Sequence, residues 1–291
     1  MTEGSYLAKI YSYYSYDQRS LDLSRLTDYF YTEYFYDNEN VEFEGVTYQD
    51  VLEVLYTPNY PSVNSSIFAG SSFSSSGSSF TGTVTGYLEG VYSSGVWVAY
   101  FGITDVSVSL SSLISAGSTS STTDDYAAIN AELTGADSFY LSDYADYADG
   151  RGGNDKMYGY SGADTLIGGA GKDTLSGGSG SDRFIFKSAS ESSTGATSAD
   201  VITDFTTGSD RINLSAIDAF DPSSANDTFV WKGTSSFSST SKGEVRYEKF
   251  NNSGTSNDYT MVWIDTDRDS GAEMAIRLTG LHSLTESDFI L

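Results

Sequence analysis

Acidic residues recur at every ninth position near the middle of this 291-residue chain. The central four are aspartates, and each is followed two residues later by a large apolar residue. Carboxylates and backbone carbonyls are the ligands that Ca²⁺ collects in cages of about six to eight oxygens, whereas Mg²⁺ demands a stricter octahedron. The spacing therefore predicts several calcium sites, whose acidic ligands are Asp137, Asp146, Asp155, Asp164, Asp173, Asp182, Glu191 and Asp200.

Glycines precede the central aspartates in a fixed order, so that four nonapeptides follow one another without a gap: GRGGNDKMY, GYSGADTLI, GGAGKDTLS and GGSGSDRFI. Glycine adopts backbone angles that other residues disfavour, which lets carbonyls converge on a cation. Arg151 and Tyr160 occupy the second glycine position and still offer their carbonyls. The predicted turn ligands are Gly150, Arg151, Gly152, Gly153, Gly159, Tyr160, Gly162, Gly168, Gly169, Gly171, Gly177, Gly178 and Gly180.

The three residues that end each nonapeptide predict a short strand with one inward side chain. These inward residues are Met157, Leu166, Leu175 and Phe184. Two nonapeptides complete one coil, so turns that lie eighteen residues apart stack on the same side. The alternative, a flexible Gly/Asp-rich linker, would not keep an apolar residue two places after every aspartate. The predicted same-side pairs are Asp137 with Asp155, Asp146 with Asp164, Asp155 with Asp173, and Asp164 with Asp182; the turn at Asp146 is nearly free of glycine.

The repeat G-G-x-G-x-D-x-U-x, with U a large apolar residue, resembles that of the RTX exoproteins. The motifs ADVITDF, GSDRINLSAID and DFIL, which follow it, resemble the segment after the repeats in serralysin-type secreted metalloproteases. The resemblance covers about residues 135–291. It implies a mainly β fold with a right-handed, calcium-binding parallel β-roll and a C-terminal β-sandwich-like cap, in which Glu191 and Asp200 close the final calcium turn.

The ending LTGLHSLTESDFIL resembles the uncleaved C-terminal signal of type I secretion substrates. That resemblance implies a type I ABC exporter as a partner and a bacterial protein that is secreted to the extracellular space or cell surface. The N-terminus lacks the basic and apolar regions of a cleaved signal peptide. Extracellular calcium modules bind at about 10⁻⁴ to 10⁻³ M, so the sites would stay empty in the cytosol and folding would be coupled to calcium outside the cell.

The sequence predicts three domains, over residues 1–134, 135–200 and 201–291. The first is a small α+β or β-rich domain. Its segments LDLSRLTDYFYTEYFY and YQDVLEVLY carry apolar or aromatic residues near helical spacing, which predicts one or two short helices mixed with strands. Residues 61–86 predict short strands and loops, and the alternating segment 83–114 predicts strands of a sheet. A short helix is expected over 120–133, with Thr122 or Thr123 as its N-cap.

Composition and motifs exclude several functions. Fifteen Lys and Arg against forty Asp and Glu give a formal net charge of −25, which leaves no basic footprint for nucleic acid. The chain has no cysteine and no apolar run long enough to span a membrane. Its single histidine, His282, rules out a serralysin-type zinc protease site. Asp265, Asp267 and Asp269 are spaced like the first ligands of an EF-type loop, but the glycine and the twelfth-position glutamate are missing, which favours a solvated β-turn.

These observations predict a non-enzymatic, calcium-binding extracellular protein of a surface or matrix, in which a homo-oligomer or lattice is a further expectation. Two alternatives stay open, and both concern residues 1–134. One is an adhesin that binds cell-surface polysaccharide through the Tyr-rich domain. The other is a carboxylate-based hydrolase, which would need two acids at a suitable separation.

Overall fold

The computed structural model describes two compact units, residues 1–141 and 142–291. The described residues are 9–12, 30–36, 41–43, 46–48, 50–56, 63–76, 79–93, 96–109, 130 and 133–291, the last range without 220–226, 239–242, 253–256 and 268. Both units are built mainly from β-strands. Within the described ranges, no helix combines the length and the apolar character that crossing a bilayer requires.

The first unit contains one large sheet and a separate hairpin. In the sheet the strands follow the order β9-β1-β8-β7-β6-β5-β2, and only β1 and β9 run parallel. Strands β3 and β4 form the hairpin. The bounds are β1 (Lys9–Ser12), β2 (Phe30–Tyr36), β3 (Val41–Phe43), β4 (Val46–Tyr48), β5 (Asp50–Tyr56), β6 (Val63–Ser76), β7 (Ser79–Ser93), β8 (Val96–Ser109) and β9 (Ser138–Tyr140).

The strands predicted within residues 83–114 are confirmed as β7 and β8. Residues 61–86 were expected to hold short strands, but β6 and β7 are long. The helical prediction is wrong over 30–36 and 50–56, where the chain forms β2 and β5. Both segments are rich in β-branched and aromatic residues, and β5 pairs on both sides, with β2 and β6. The helix predicted over 120–133 lies largely outside the described residues.

The second unit is a parallel roll followed by an antiparallel cap. One parallel sheet contains β11, β14, β17 and β22, the other contains β10, β13, β16, β18 and β23, and β12 pairs with β15 in the turns. Two 3-10 helices cover Ala189–Glu191 and Glu286–Asp288. The strands are β10 (Tyr147–Asp149), β11 (Lys156–Tyr158), β12 (Ser161–Gly162), β13 (Thr165–Ile167), β14 (Thr174–Ser176), β15 (Ser179–Gly180), β16 (Arg183–Ile185), β17 (Asp200–Ile202), β18 (Arg211–Asn213), β19 (Val230–Gly233), β20 (Glu244–Phe250), β21 (Tyr259–Asp265), β22 (Met274–Thr279) and β23 (Phe289–Ile290).

The four inward residues predicted for the repeats are confirmed, because all four are fully buried. Strand register aligns them with further buried residues, so that each sheet contributes one apolar row to the core. Burying a side chain of this size contributes about 1.5–3 kcal/mol. The rows run past the last repeat into the C-terminal strands; they are Met157, Leu175, Ile202 and Leu278 in one sheet and Ala148, Leu166, Phe184, Ile212 and Phe289 in the other.

The cap extends from one edge of the roll sheet that contains β11, β14, β17 and β22. Strand β22 is parallel to β17 on one side and antiparallel to β21 on the other, and β21 pairs in turn with β20. The ring of Trp231 stacks on Tyr247 and lies 4.8 Å from Phe289, centroid to centroid. These contacts tie the cap to the final strand of the roll.

Candidate metal centre

Seven buried aspartates of the roll lie in two columns, one at each side of the stacked turns. In each column, Oδ1 of an aspartate accepts a hydrogen bond from the backbone N–H of the aspartate one coil earlier, at 2.8–3.0 Å. We call them the 155 column (Asp155, Asp173 and Asp200) and the 146 column (Asp146, Asp164, Asp182 and Asp210). Three predicted pairs are thereby confirmed as neighbours: Asp146 with Asp164, Asp155 with Asp173, and Asp164 with Asp182. The fourth, Asp137 with Asp155, joins residues of different units and stays a prediction.

The nine-residue step predicted to continue through Glu191 to Asp200 is wrong after Asp182. Asp200 stacks on Asp173, and Asp210 stacks on Asp182, so these steps span 27 and 28 residues instead of 18. The turn that would contain Glu191 has no glycine at its first, second or fourth position. Residues 189–191 form a 3-10 helix there, and the chain returns to the roll only at β17.

The Oδ2 atoms of Asp164, Asp173, Asp182 and Asp200 are buried and accept no hydrogen bond. Within the described part of the chain, no lysine or arginine forms an ion pair with these carboxylates. By contrast, the buried carboxylate of Asp149 lies 2.7 Å from the Lys187 ammonium. A buried carboxylate oxygen without a compensating partner is costly, so four of them in two adjacent columns fit cation ligands.

The two ends of the 146 column differ from its middle. Oδ2 of Asp146 accepts hydrogen bonds from the N–H and Oγ–H of Ser142, both at 2.8 Å. Oδ2 of Asp210 accepts the N–H of Thr206 at 2.7 Å. Protein donors thus satisfy the terminal carboxylates. In the turn around Asp146, which is nearly free of glycine, Ser142 supplies these donors.

Burial raises the pKa of several column aspartates. It raises the pKa of Asp164 to about 8, helped by the charges of Asp182 and Asp146. The pKa of Asp173 rises to about 7 and that of Asp200 to about 8, again mainly through burial and partly through the charge of Glu191. Without a cation, the columns therefore disfavour the charges that these side chains would carry in water at neutral pH.

Two further acids lie beside the columns. The charge of Glu191 acts on Asp173 and Asp200, which places this residue near the 155 column although it is outside the repeat register. Asp204 acts in the same way on Asp182 and Asp210 of the 146 column. It also accepts hydrogen bonds from the N–H groups of Gly177 and Gly178 and from Ser176 Oγ.

Sequence reasoning missed Asp204 and Asp210. A signal for Asp210 existed, because Asp210-Arg211-Ile212 repeats the aspartate-x-apolar pattern of Asp182-Arg183-Phe184, and the two segments pair in register. The pattern lies 28 residues further on instead of a multiple of nine, which is why a fixed step overlooked it. Asp204 belongs to a loop and has no repeat signal.

The turn backbone fits the predicted carbonyl ligands. Arg151 and Tyr160 have φ of 69° and 64°, the left-handed region that glycine adopts at the equivalent positions in the next two turns. Their carbonyls accept the N–H groups of Ala170 and Ser179, each at 2.9 Å. A carbonyl has a second lone pair, so these oxygens can still face a cation. All candidate ligands are oxygens, the donor set of calcium.

The first glycine of a turn makes room for the carboxylate of that same turn. A side-chain carbon added at Gly168 would collide with the carboxylate of Asp173, and one added at Gly177 would collide with that of Asp182. The same relation holds for Gly150 with Asp155 and for Gly159 with Asp164. The absent side chain at the first glycine therefore leaves the space that the carboxylate of the same turn occupies.

Comparison with known proteins finds similarity in the C-terminal part of the chain. Residues 149–291 match the family model of the Peptidase M10 serralysin C terminal. No curated protein matches the chain. Two solution structures from the Azotobacter vinelandii Mannuronan C5-epimerase are similar to it. The AlgE6R3 subunit is 27% identical with a TM-score of 0.38, covering 54% of this chain and 79% of that chain. For the AlgE6R2 subunit the values are 23%, 0.36, 54% and 88%.

Proposed function

We propose that this chain is a secreted calcium-binding protein of the RTX type, whose roll folds when calcium fills its turns. The observation that supports this most directly is the set of buried Oδ2 atoms of Asp164, Asp173, Asp182 and Asp200, which no described protein group satisfies. The predicted turn carbonyls, with Glu191, would complete the coordination. Bound calcium supplies positive charge inside the columns, so their carboxylates stay ionised.

Circular dichroism during a calcium titration tests this proposal. Metal-free protein at neutral pH is expected to lack much of its β signal, because Asp164, Asp173, Asp182 and Asp200 have a buried Oδ2 that no described group satisfies, and calcium should restore it. Asp173→Asn should raise the calcium concentration at the midpoint of the titration by about tenfold or more, since it removes a central ligand. The matched control is Asp143→Asn, which changes an exposed acid outside the columns. A spectrum that chelation leaves unchanged would refute calcium-coupled folding.

The biological setting that we propose is the bacterial exterior. A type I ABC exporter would carry the chain out unfolded, and calcium outside the cell would then fold the roll. The serralysin-type domain lies outside the catalytic part of those proteases, and we propose that the chain is not an enzyme. The alternatives, a hydrolase or a glycan-binding module within residues 1–134, stay predictions.

We further propose that the folded protein assembles on a surface or in a matrix. The formal charge of −25 disfavours association of metal-free chains, and bound calcium reduces that repulsion. Light scattering at millimolar calcium should then detect particles larger than one chain, which disperse when a chelator is added. A strict monomer under these conditions would contradict assembly and leave calcium-coupled folding untouched.

A further inference from the structure

A third group of acids lies away from both columns, where β21 turns into β22. Asp265 ends β21, and Glu273 directly precedes β22. The N–H of Glu273 donates to the carbonyl of Ile264 at 3.0 Å, which holds the two strands together at this point. One carboxylate oxygen from each of Asp265, Asp267 and Glu273 lies within 4.8 Å of the other two.

Asp265 is fully buried, although its neighbours in the loop are half-buried or exposed. Its Oδ1 accepts the N–H of Asp267 at 3.0 Å, whereas its Oδ2 is buried and accepts no hydrogen bond. This is the condition that marks the unpartnered carboxylates of the columns. It distinguishes Asp265 from an ordinary turn aspartate, whose free oxygen would face water.

Among the residues that the structure describes, no positive side chain neutralises this group. Glu244 pairs with Asp265 across β20 and β21, but its own carboxylate is occupied by Lys232 at 3.2 Å and by Ser238. In the described ranges, which omit Arg268, no lysine or arginine forms an ion pair with Asp265, Asp267 or Glu273. Three carboxylates that converge without a cation repel one another, and burial amplifies the repulsion.

We propose that Asp265, Asp267 and Glu273 bind one calcium ion at the hairpin between β21 and β22. An all-oxygen set with a buried anchor and two partly exposed ligands suits a hard cation, and the exposure of Asp267 and Glu273 allows water to serve as additional ligands. The site differs from an EF-type loop, because its last acid is the ninth residue of the loop and the twelfth is the buried Ile276. The solvated turn expected from the sequence is therefore replaced by a site that only the hairpin assembles.

Counting bound ions tests the proposal on the full chain. Protein dialysed against millimolar calcium is measured for bound metal by mass spectrometry, for the native protein and for Asp265→Asn and Glu273→Gln. Each variant should lose one ion per chain. The matched control is Asp269→Asn, since this exposed acid of the same loop is outside the cluster and should leave the count unchanged.

The partly exposed Glu273 keeps the test decisive if Asp265→Asn fails to fold. A native ion count in a folded Glu273→Gln variant would overturn the proposal. Arg268→Gln provides a second check. An arginine that neutralised the acids would compete with calcium for them. Removing it should therefore not lower the ion count. The hairpin site and the columns are tested separately. If the roll bound no calcium, Asp173→Asn would leave the ion count unchanged, whereas Glu273→Gln reports on the hairpin alone. If both places bind calcium, the ions lost in the two variants should add.

Discussion

At the scale of single residues, the roll depends on which carboxylate oxygens the protein itself satisfies. Asp146 and Asp210 receive donors from Ser142 and Thr206, whereas Asp164, Asp173, Asp182 and Asp200 each keep a buried Oδ2 that accepts no hydrogen bond. Side chains of one type thus divide into those that protein donors satisfy and those that are candidate ion ligands. The sequence alone predicted the aspartates but not this division, because it depends on donors in the loops.

The raised pKa values predict how metal-free protein responds to pH. Asp164 and Asp200 have folded pKa values of about 8, above their ordinary value of 3.8. Their protonation therefore favours the folded state, an effect fully present below about pH 4 and lost as pH rises through 8. Metal-free protein, which should lack much of its β structure at neutral pH, is expected to regain part of it at pH 5 and to unfold there at a higher temperature than at pH 8.

Thermal unfolding of dialysed protein measures this directly, without a chelator whose affinity changes with pH. Saturating calcium should reverse the trend, because protons then compete with bound ions for the same oxygens. Equal unfolding temperatures at both pH values in metal-free protein would contradict the raised pKa values of the buried column aspartates.

A pair of glycines separates steric crowding from backbone strain. Gly169 and Gly208 have similar φ values, 93° and 84°, but only at Gly169 would an added carbon meet a neighbouring coil, at the carbonyl of Arg151. Gly208→Ala should cost about 1 kcal/mol through strain alone. Gly169→Ala should cost clearly more and weaken calcium binding, because it pushes two turns apart. Chemical denaturation in calcium compares them, and equal costs would show that coil spacing is unimportant.

At the scale of elements, local pattern predicted the roll well and the other segments less well. The inward positions of the four repeats followed from the nonapeptide, because one residue in nine must fill the core. The shift between Asp182 and Asp210 was missed because Glu191 and Asp200 happen to fall on the nine-residue step, which hid the repeated pattern at Asp210. In β5, Val, Leu and Tyr satisfy helical spacing and strand composition alike, and pairing with two neighbours decides for the strand.

The last strand gives a prediction at this scale. Phe289 of β23 aligns with Ile212 of β18, extends the apolar row of that sheet and contacts Trp231 of the cap. Phe289→Ala should lower the free energy of unfolding by about 3–5 kcal/mol in calcium. Leu281→Ala is the control, because this side chain is 41% exposed and should cost little. Denaturant titration measures both, and similar costs would argue against a structural role for β23.

At the scale of the whole molecule, the acids matter in two ways: as buried side chains of the columns and as an excess of negative charge over the whole chain. The column aspartates are buried in the second unit, whereas the chain as a whole carries forty acids against fifteen bases. Calcium would act on both, by filling the columns and by reducing long-range repulsion. The repeat spacing predicted the column sites, but the proposed hairpin site needed the structure, because Asp265 and Glu273 meet only when β21 and β22 pair.

The hydrogen bonds between successive coils also determine how the roll would respond to tension. In each central coil, a backbone N–H is held by the carboxylate one coil later, and the strands of each sheet are parallel, so a pull along the stack loads one coil at a time. Each coil of 18 residues would release about 6 nm of chain, at about 3.4 Å per residue. If calcium folds the roll as proposed, the calcium-loaded roll should extend stepwise under force, coil by coil, whereas the metal-free chain should extend without such steps.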